Sequence, residues 1–417
     1  MAEKLAGRTK LLYGVGDTSF SLTATIIGAY FAIFLTDVVG VVPGMAAVAI
    51  FLGRSWDYIN DPVVGYLSDR TRTRWGRRRP FLVFGAVPFA IAFALLWWRP
   101  WWKNPLCLVI YYSAAYIVFD TANTLVEMPY NALTPELTGD YDERTALTTY
   151  RMFFSILAGL LAFTLPLLFV GGFHPERAPR FFTMGLIFGS FSALPLLLTF
   201  LGSKENRDFM EQTQPKFLPS LKAAAGNRPF VFSLLIFLVT WLSVDILQAT
   251  LFYFIKYCMN LESRSGLIMG IIFGAAAVSL VFWNWLSQRL SKRWAYAIGV
   301  GFWAAVQIIL VTLKPSPNIF LLLFLCSLAG VGLGAAHVLT WAMIPDSIEW
   351  DEWQTGARHE GMFYSFVILT KKVASSIAIP LALLFLETSG YKPNAIRQSS
   401  EAVLAIRILT GVIPAVL

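Results

Sequence analysis

The sequence predicts an all-α membrane protein of twelve spanning helices, arranged as two halves of six. Three observations carry that reading. Of 417 residues, 57% are hydrophobic and only 14% charged, with a mean hydropathy of +0.62; a soluble domain is nearer ~45–50% apolar. Apolar runs close to the ~20 residues that cross a hydrocarbon core recur along the whole chain. The longest polar stretch, 202–227, is rich in Lys, Glu, Gln and Pro and falls between the sixth and seventh runs. It reads as a cytoplasmic linker between an N-terminal half, 1–201, and a C-terminal half, 228–417.

Spans 1 to 6 are expected near 16–37, 45–68, 80–98, 106–130, 149–171 and 180–201. Spans 7 to 12 follow near 228–256, 266–286, 294–313, 319–343, 362–386 and 401–417. The last run is short and ends without a polar tail, which predicts a truncated twelfth helix. The N-terminal MAEKLAGRTK is basic, but the run after it is long and lacks a small-residue cleavage site, so span 1 is expected to be retained. The N-terminus, the loop 70–79, the linker and the loop 289–293 hold about twice the Lys and Arg of the opposite loops, which puts that side and both termini in the cytoplasm. The formal charge of +8 is explained by these loops and calls for no nucleic acid. Trp97, Trp98, Trp101 and Trp102 surround the loop after span 3 and fit an interfacial aromatic belt. Cys107, Cys258 and Cys326 are dispersed and odd in number, which indicates neither a disulfide framework nor a metal motif.

Within span 2, RSWDYINDP places Asp57 and Asp61 four residues apart, so a helix puts both carboxylates on one face with Asn60 beside them. A carboxylate at membrane depth costs at least ~2.5–3.5 kcal/mol, so this face must look into protein and be neutralised by protons, a cation or a basic side chain. Asp120, Thr124 and Glu127 share one face of span 4. Arg151 in span 5 and Lys372 in span 11 are the expected fixed positive partners; Lys371 points roughly 100° away from Lys372 and is assigned another route or a snorkelling position. His174, His337 and His359 are scattered, which argues against an enzyme, and the two-half layout with buried charges argues against a channel. His337, the histidine at bilayer depth, is expected to be hydrogen-bonded and to face the transport path, with a satisfied core position as the alternative.

The loop GYLSDRTRTRWGRRRP resembles that between helices 2 and 3 of the major facilitator superfamily, with Gly65, Asp69, Arg70, Gly76, Arg77 and Arg78 in matching places. The resemblance implies the major facilitator fold and a gating role for Asp69, Arg70, Arg77 and Arg78. TDVVG, WDYINDP, EMPYNALTPEL, YRMFF, IPDSIEWDEW and SFVILTKKVASS, in that order, narrow it to the glycoside-pentoside-hexuronide:cation symporters, the melibiose-permease-like branch. That family implies a Na+ site on Asp57, Asn60, Asp61 and Thr124, with H+ or Li+ left open as coupling ion and no other cofactor. Oxygen donors alone suit a hard cation. Lys372 matches the family's helix-11 lysine, and Glu127 its helix-4 acid. The position of the helix-1 acid is Ser21 here, with Asp17 one turn earlier; Asn131 and Asn123 stand at aromatic positions, and His337 at a tryptophan position. With Asp120 and Arg151 these residues form the expected substrate set.

PYNALT, YRM, MIPD and the helix-11 run also resemble the sodium-dependent lysophosphatidylcholine symporters, which likewise lack the helix-1 acid. A lipid tail would then need an apolar cleft, for which Phe232, Phe237, Leu251 and Phe254 are the candidates. The resemblances imply a cation-coupled symporter of a glycoside, sugar or uronide, or alternatively of a lysophospholipid, working by alternating access as a monomer in the plasma (inner) membrane.

Overall fold

The computed structural model describes residues 5–138, 140–203, 205, 226–355 and 360–417, without the side chains of 69, 135, 141, 142, 145, 352, 354, 355 and 360–362. Most of the linker, the Asp69 side chain and His359 therefore lie outside the described residues. The described chain is helical, with one isolated bridge between Thr73 and Gly76. It divides into two compact units, Met1–Gln212 and Thr213–Leu417.

Among the described residues, nine helices are long and apolar enough to cross a membrane. The other three expected spans, 1, 2 and 12, are helical but interrupted. Span 1 runs as Gly7–Gly14 and Asp17–Ile26, then through π-helical turns at Ile27–Phe31 and Phe34–Val39. Span 2 is Pro43–Ser55 followed by Asp57–Arg70. Span 12 joins Ser400–Arg407, a π-helical turn Ile408–Val412, and Ile413–Val416.

The break in span 1 has a local cause. Gly16 N–H donates to Tyr13 O at 3.1 Å, which leaves Leu12 O without its usual partner four residues on. Thr199 Oγ1 takes that carbonyl at 3.0 Å, and Tyr130 Oη donates to Tyr13 O at 2.9 Å. A Cβ at position 16 would lie 2.4 Å from Thr199 Oγ1 and 2.6 Å from the Tyr130 ring, so only glycine admits both neighbours. In span 2, Trp56 O accepts from both Ile59 N–H and Asn60 N–H at 3.0 Å, and Pro62 denies Tyr58 its helical donor. The helix is thus loosened on both sides of Asp57–Asp61.

Span 4, Pro105–Leu137, and span 10, Ile319–Thr355, continue beyond their apolar runs and past Pro129 and Pro345. Hydropathy marks where lipid ends, whereas the helix continues into water with polar side chains. The other spans are Arg79–Leu96 (3), Tyr141–Val170 (5), Ala178–Gly202 (6), Arg228–Tyr253 with a π-helical turn to Cys258 (7), Ser265–Leu290 (8), Lys292–Thr312 (9) and Glu360–Thr388 (11).

The two units repeat one packing scheme. Spans 1–5, 2–4, 3–4 and 3–6 are neighbours in the first; spans 7–11, 8–10, 9–10 and 9–12 are neighbours in the second. Trp97, expected at an interface, is instead fully buried in the first unit's aromatic core, stacked on Phe181 and tilted against Phe34. Trp101 is 80% exposed and packs edge-on with Trp98 and Trp102, as a belt residue would.

Candidate functional site

Spans 2 and 4 are fastened to each other by polar contacts along their length. Arg54 Nε donates to Tyr116 Oη at 3.0 Å, and Trp56 Nε1 donates to Thr121 Oγ1 at 3.0 Å. Below them Asn60 Nδ2 donates to the backbone carbonyl of Asp120 at 3.4 Å. These contacts set the register that brings Thr124 Oγ1 to 3.2 Å from Asp61 Oδ1 and 3.5 Å from Asp57 Oδ1.

All four residues of the expected cation set therefore lie at one span 2–span 4 contact. Thr124 and Asn60 are buried, at 1% and 5% exposure, whereas Asp57 and Asp61 are part-exposed. Two carboxylate oxygens that share one hydroxyl are within about 7 Å of each other and repel by about 2 kcal/mol at an effective dielectric of ~20. Carboxylate, amide and hydroxyl oxygens are the donor types of a hard cation. Among the described residues no group of three His, Cys, Asp or Glu side chains gathers as a metal cluster.

A second polar group joins spans 1, 4 and 5. Arg151 donates to Asp17 Oδ1 through Nη2 at 2.9 Å and Nε at 3.2 Å, and to Asn131 Oδ1 through Nη2 at 2.6 Å. The guanidinium also lies 4.9 Å from the Tyr130 ring centroid. Asp17 opens the helical segment after the span 1 break and is ion-paired with Arg151. Ser21 Oγ donates to Ser155 O at 2.7 Å, which ties span 1 to span 5. Asn123 Nδ2 donates to Glu127 Oε2 at 2.7 Å, one turn apart on span 4. Asp120 is buried at 6% exposure, level with Asn60.

The loop between spans 2 and 3 is organised by two glutamates that the sequence reading did not single out. Arg77 and Arg78 both donate to Glu136 Oε1 at the end of span 4, and Arg78 Nη1 reaches Ser68 Oγ at 2.5 Å. The backbone N–H groups of Arg77, Arg78 and Arg79 converge on the Glu205 carboxylate at 2.6, 2.7 and 2.9 Å. Gly76, at φ +110°, turns the chain into this cradle, and a Cβ there would lie 2.6 Å from the carboxylate. Arg70 stands apart, with its guanidinium 4.1 Å from the Tyr66 ring centroid. On the same unit Lys10 pairs with Glu143 at 2.8 Å, and that hydrogen bond holds the Glu143 carboxyl below its ordinary range.

In the second unit Lys372 is half-buried on span 11. Lys371 Nζ lies 4.1 Å from the Trp241 ring centroid, so it points into the unit instead of snorkelling. His337 Nδ1 faces Leu333 O at 3.3 Å, and its ring meets Trp241 edge-on at 5.1 Å. Asp245, buried at 9% exposure, accepts from Ser375 Oγ. The same rule that marks Asp57, a carboxylate inside an apolar run, would have found it in WLSVDILQ. Phe232 is 66% exposed, whereas Phe237, Leu251 and Phe254 are buried, so the four do not form the shared open face that a lipid tail would need.

Two six-helix units with buried charges inside their spans define a polytopic membrane transporter, and comparison with known proteins gives the family. A family model described as MFS/sugar transport protein matches residues 12–417. An uncharacterised symporter of Synechocystis sp. is 33% identical over 99% of this chain and 92% of its own length. The sodium-dependent lysophosphatidylcholine symporter 1-A of Danio rerio is 28% identical over 97% and 82%, and an isoprimeverose transporter of Lactiplantibacillus pentosus 28% over 95% and 83%. Among solved structures, a nucleoside transporter shares the fold with a TM-score of 0.67 at 13% identity, covering 99% of this chain and 98% of that one. The chain belongs to the MFS/sugar transport protein family, and it is a transporter, not an enzyme.

Proposed function

We propose that this protein is a Na+-coupled symporter of a polar organic solute, and that Asp57, Asn60, Asp61 and Thr124 hold the coupling ion. The observation that carries the reading is the sharing of Thr124 Oγ1 by two carboxylates that repel each other. A monovalent cation offsets that repulsion without a histidine or thiol ligand. Asp17, Arg151, Asn131, Glu127 and Asn123 are the substrate-facing set, hydrogen-bonded to one another until a solute exchanges with them. Ser21, Asp120, His337 and Lys372 complete it, and Asp69, Arg70, Arg77 and Arg78 act in gating. A glycoside or uronide fits this polar set. A lysophospholipid is the second reading, favoured by the Danio rerio relative.

Coupling follows from charge. Na+ neutralises one carboxylate excess and the solute satisfies the other polar groups, so the doubly loaded protein can close without burying an unpaired charge. The basic loops support a cytoplasmic position for both termini, and the reading takes the protein to work in the plasma membrane. Proteoliposome uptake of matched sugar and lysolipid probes under an imposed Na+ gradient tests this. Na+ and solute must raise each other's affinity by the same factor. Uptake driven equally by K+, Li+, H+ and Na+ gradients, or counterflow indifferent to Na+, would remove the Na+ assignment.

A further inference from the structure

In the loop between spans 2 and 3 three consecutive arginines are tied inside the first unit. Arg77 and Arg78 donate to Glu136, and Arg79 donates to the carbonyl of Phe200. The repeat counterpart in the second unit, between spans 8 and 9, is a single residue. Span 8 ends at Leu290, Ser291 turns the chain at φ +82°, and span 9 begins at Lys292 with no side-chain cap on its first backbone N–H groups. Lys292 pairs with Asp346 on span 10 at 2.5 Å. Arg289 and Arg293 stand on either side of the turn, and among the described residues neither has a carboxylate partner. Each rests on an indole instead, Arg289 at 5.1 Å from the Trp285 ring centroid and Arg293 at 5.7 Å from that of Trp294.

Two further observations separate this turn from an ordinary solvated one. Trp285 and Trp294 are 48% and 60% exposed, one near the end of span 8 and the other in the first turn of span 9. Indoles exposed at span ends sit at headgroup depth. A guanidinium laid on such a ring is held at that depth with its charge uncancelled, where lipid phosphates are among its neighbours. Beside the turn lies a cleft of about 610 Å³, lined by Ser233, Ser287, Ser291, Lys292, Arg293 and Asp346 among others. It sets serine hydroxyls beside two cations, of which Lys292 is offset by Asp346 and Arg293 is not. The anionic oxygens of a phosphodiester suit guanidinium donors, and a headgroup hydroxyl suits the serines. Basic clefts between span ends recognise anionic headgroups by this chemistry.

We propose that the turn between spans 8 and 9 binds an anionic phospholipid of the surrounding membrane, with Arg289 and Arg293 on its phosphodiester and the serine-lined cleft around its headgroup. A membrane lipid is the occupant because the two exposed indoles fix the site at headgroup depth. The site is separate from the Na+ and solute assignments and does not depend on them.

The test uses the full chain, delipidated in dodecyl maltoside. Dioleoylphosphatidylglycerol is set against dioleoylphosphatidylcholine, with bound lipid counted by native mass spectrometry and its effect read as a thermal shift. Two arginines at the membrane surface should give the wild type a preference of about 30-fold for the anionic lipid. Arg289→Gln combined with Arg293→Gln should abolish most of it. Trp294→Leu, which removes the ring under Arg293, should lower it about threefold. Lys314→Gln combined with Arg397→Gln removes the same charge from exposed positions in the loops after spans 9 and 11, and should leave it unchanged. Melting temperatures in phosphatidylcholine equal to that of the wild type certify the folds. Should the double arginine variant not fold, Arg293→Gln alone and Trp294→Leu decide. Four results overturn the site: equal affinity for the two lipids, a preference that survives the arginine substitutions, a Trp294→Leu preference like wild type, or an equal loss in the Lys314 and Arg397 control, which would reduce the effect to net charge. Displacement of the lipid by millimolar inorganic phosphate would make the occupant a free anion and overturns it too.

Discussion

Asp61→Asn tests the cation assignment at its root. Without the ion, the carboxylates of Asp57 and Asp61 share Thr124 Oγ1 at 3.5 and 3.2 Å. Neutralising one of two charges about 7 Å apart relieves about 2 kcal/mol of repulsion at an effective dielectric of ~20. With Na+ seated, the same change removes an attraction of about 6 kcal/mol, for a ligand oxygen ~2.5 Å from the ion in the same dielectric. The difference, about 4 kcal/mol, corresponds to a loss of ~10³-fold in Na+ affinity. The assay is thermal unfolding in nanodiscs, in NaCl against choline chloride at equal ionic strength. At a Na+ concentration ~100 times Kd the wild type gains about 2.7 kcal/mol, which the variant should lack. In choline chloride the variant should match or exceed the wild type. Two results refute the reasoning: a Na+ shift in Asp61→Asn as large as in the wild type, or a variant that is several degrees less stable without Na+. The second would make Asp61 a group that only holds helices together.

Thr124→Ala removes the shared hydroxyl and should lower Na+ affinity by about 10-fold, equivalent to ~1.4 kcal/mol, while choline-chloride stability changes by less than the Asp61→Asn effect. Glu136→Gln leaves the Arg78 guanidinium, 5% exposed, without its carboxylate; a loss of about 3 kcal/mol in unfolding stability is expected, and none of the Na+ shift should be lost. Gly16→Ala drives a Cβ against Thr199 and Tyr130 and should destabilise by about 1–3 kcal/mol, with partial recovery on adding Thr199→Ala. Because Lys10 depresses the Glu143 carboxyl, the stability this pair supplies is full above the unfolded carboxylate value of about 4.5 and is lost as pH falls through the lower folded value. Melting temperatures of wild type and Glu143→Gln, scanned from pH 7 to pH 3, should therefore converge at the acid end.

What the sequence made legible is what lipid forbids. A carboxylate in an apolar run has no bland explanation at bilayer depth, and the four-residue spacing of Asp57 and Asp61 fixes their common face. Span 4's Thr124 followed from resemblance and helical spacing, and the structure sets it against both acids. Glu205 was hidden because nothing in a polar linker marks which acid will meet a row of backbone N–H groups; only the turn at Gly76 creates that cradle. Trp97 was misplaced because four tryptophans near one loop share a composition but not a direction, and Trp97 turns back onto Phe181. Lys371 was expected on another route or snorkelling because a helical wheel gives only its angle to Lys372, and the structure sets it over the Trp241 ring. Asp245 required no structure at all, only the same rule applied to the second half.

The two units share their packing neighbours but differ in their breaks. Spans 1 and 2 are interrupted immediately before Asp17 and Asp57, so each acid opens a new helical segment. Span 7, the repeat counterpart of span 1, stays α-helical from Arg228 to Tyr253, through Trp241 and Asp245. Where that helix runs unbroken, Lys371 lies over the Trp241 ring and Asp245 accepts from Ser375 Oγ. The two like units thus differ where their first spans break: the N-terminal one sets an acid directly after each interruption, and the C-terminal one carries Asp245 within a continuous helix.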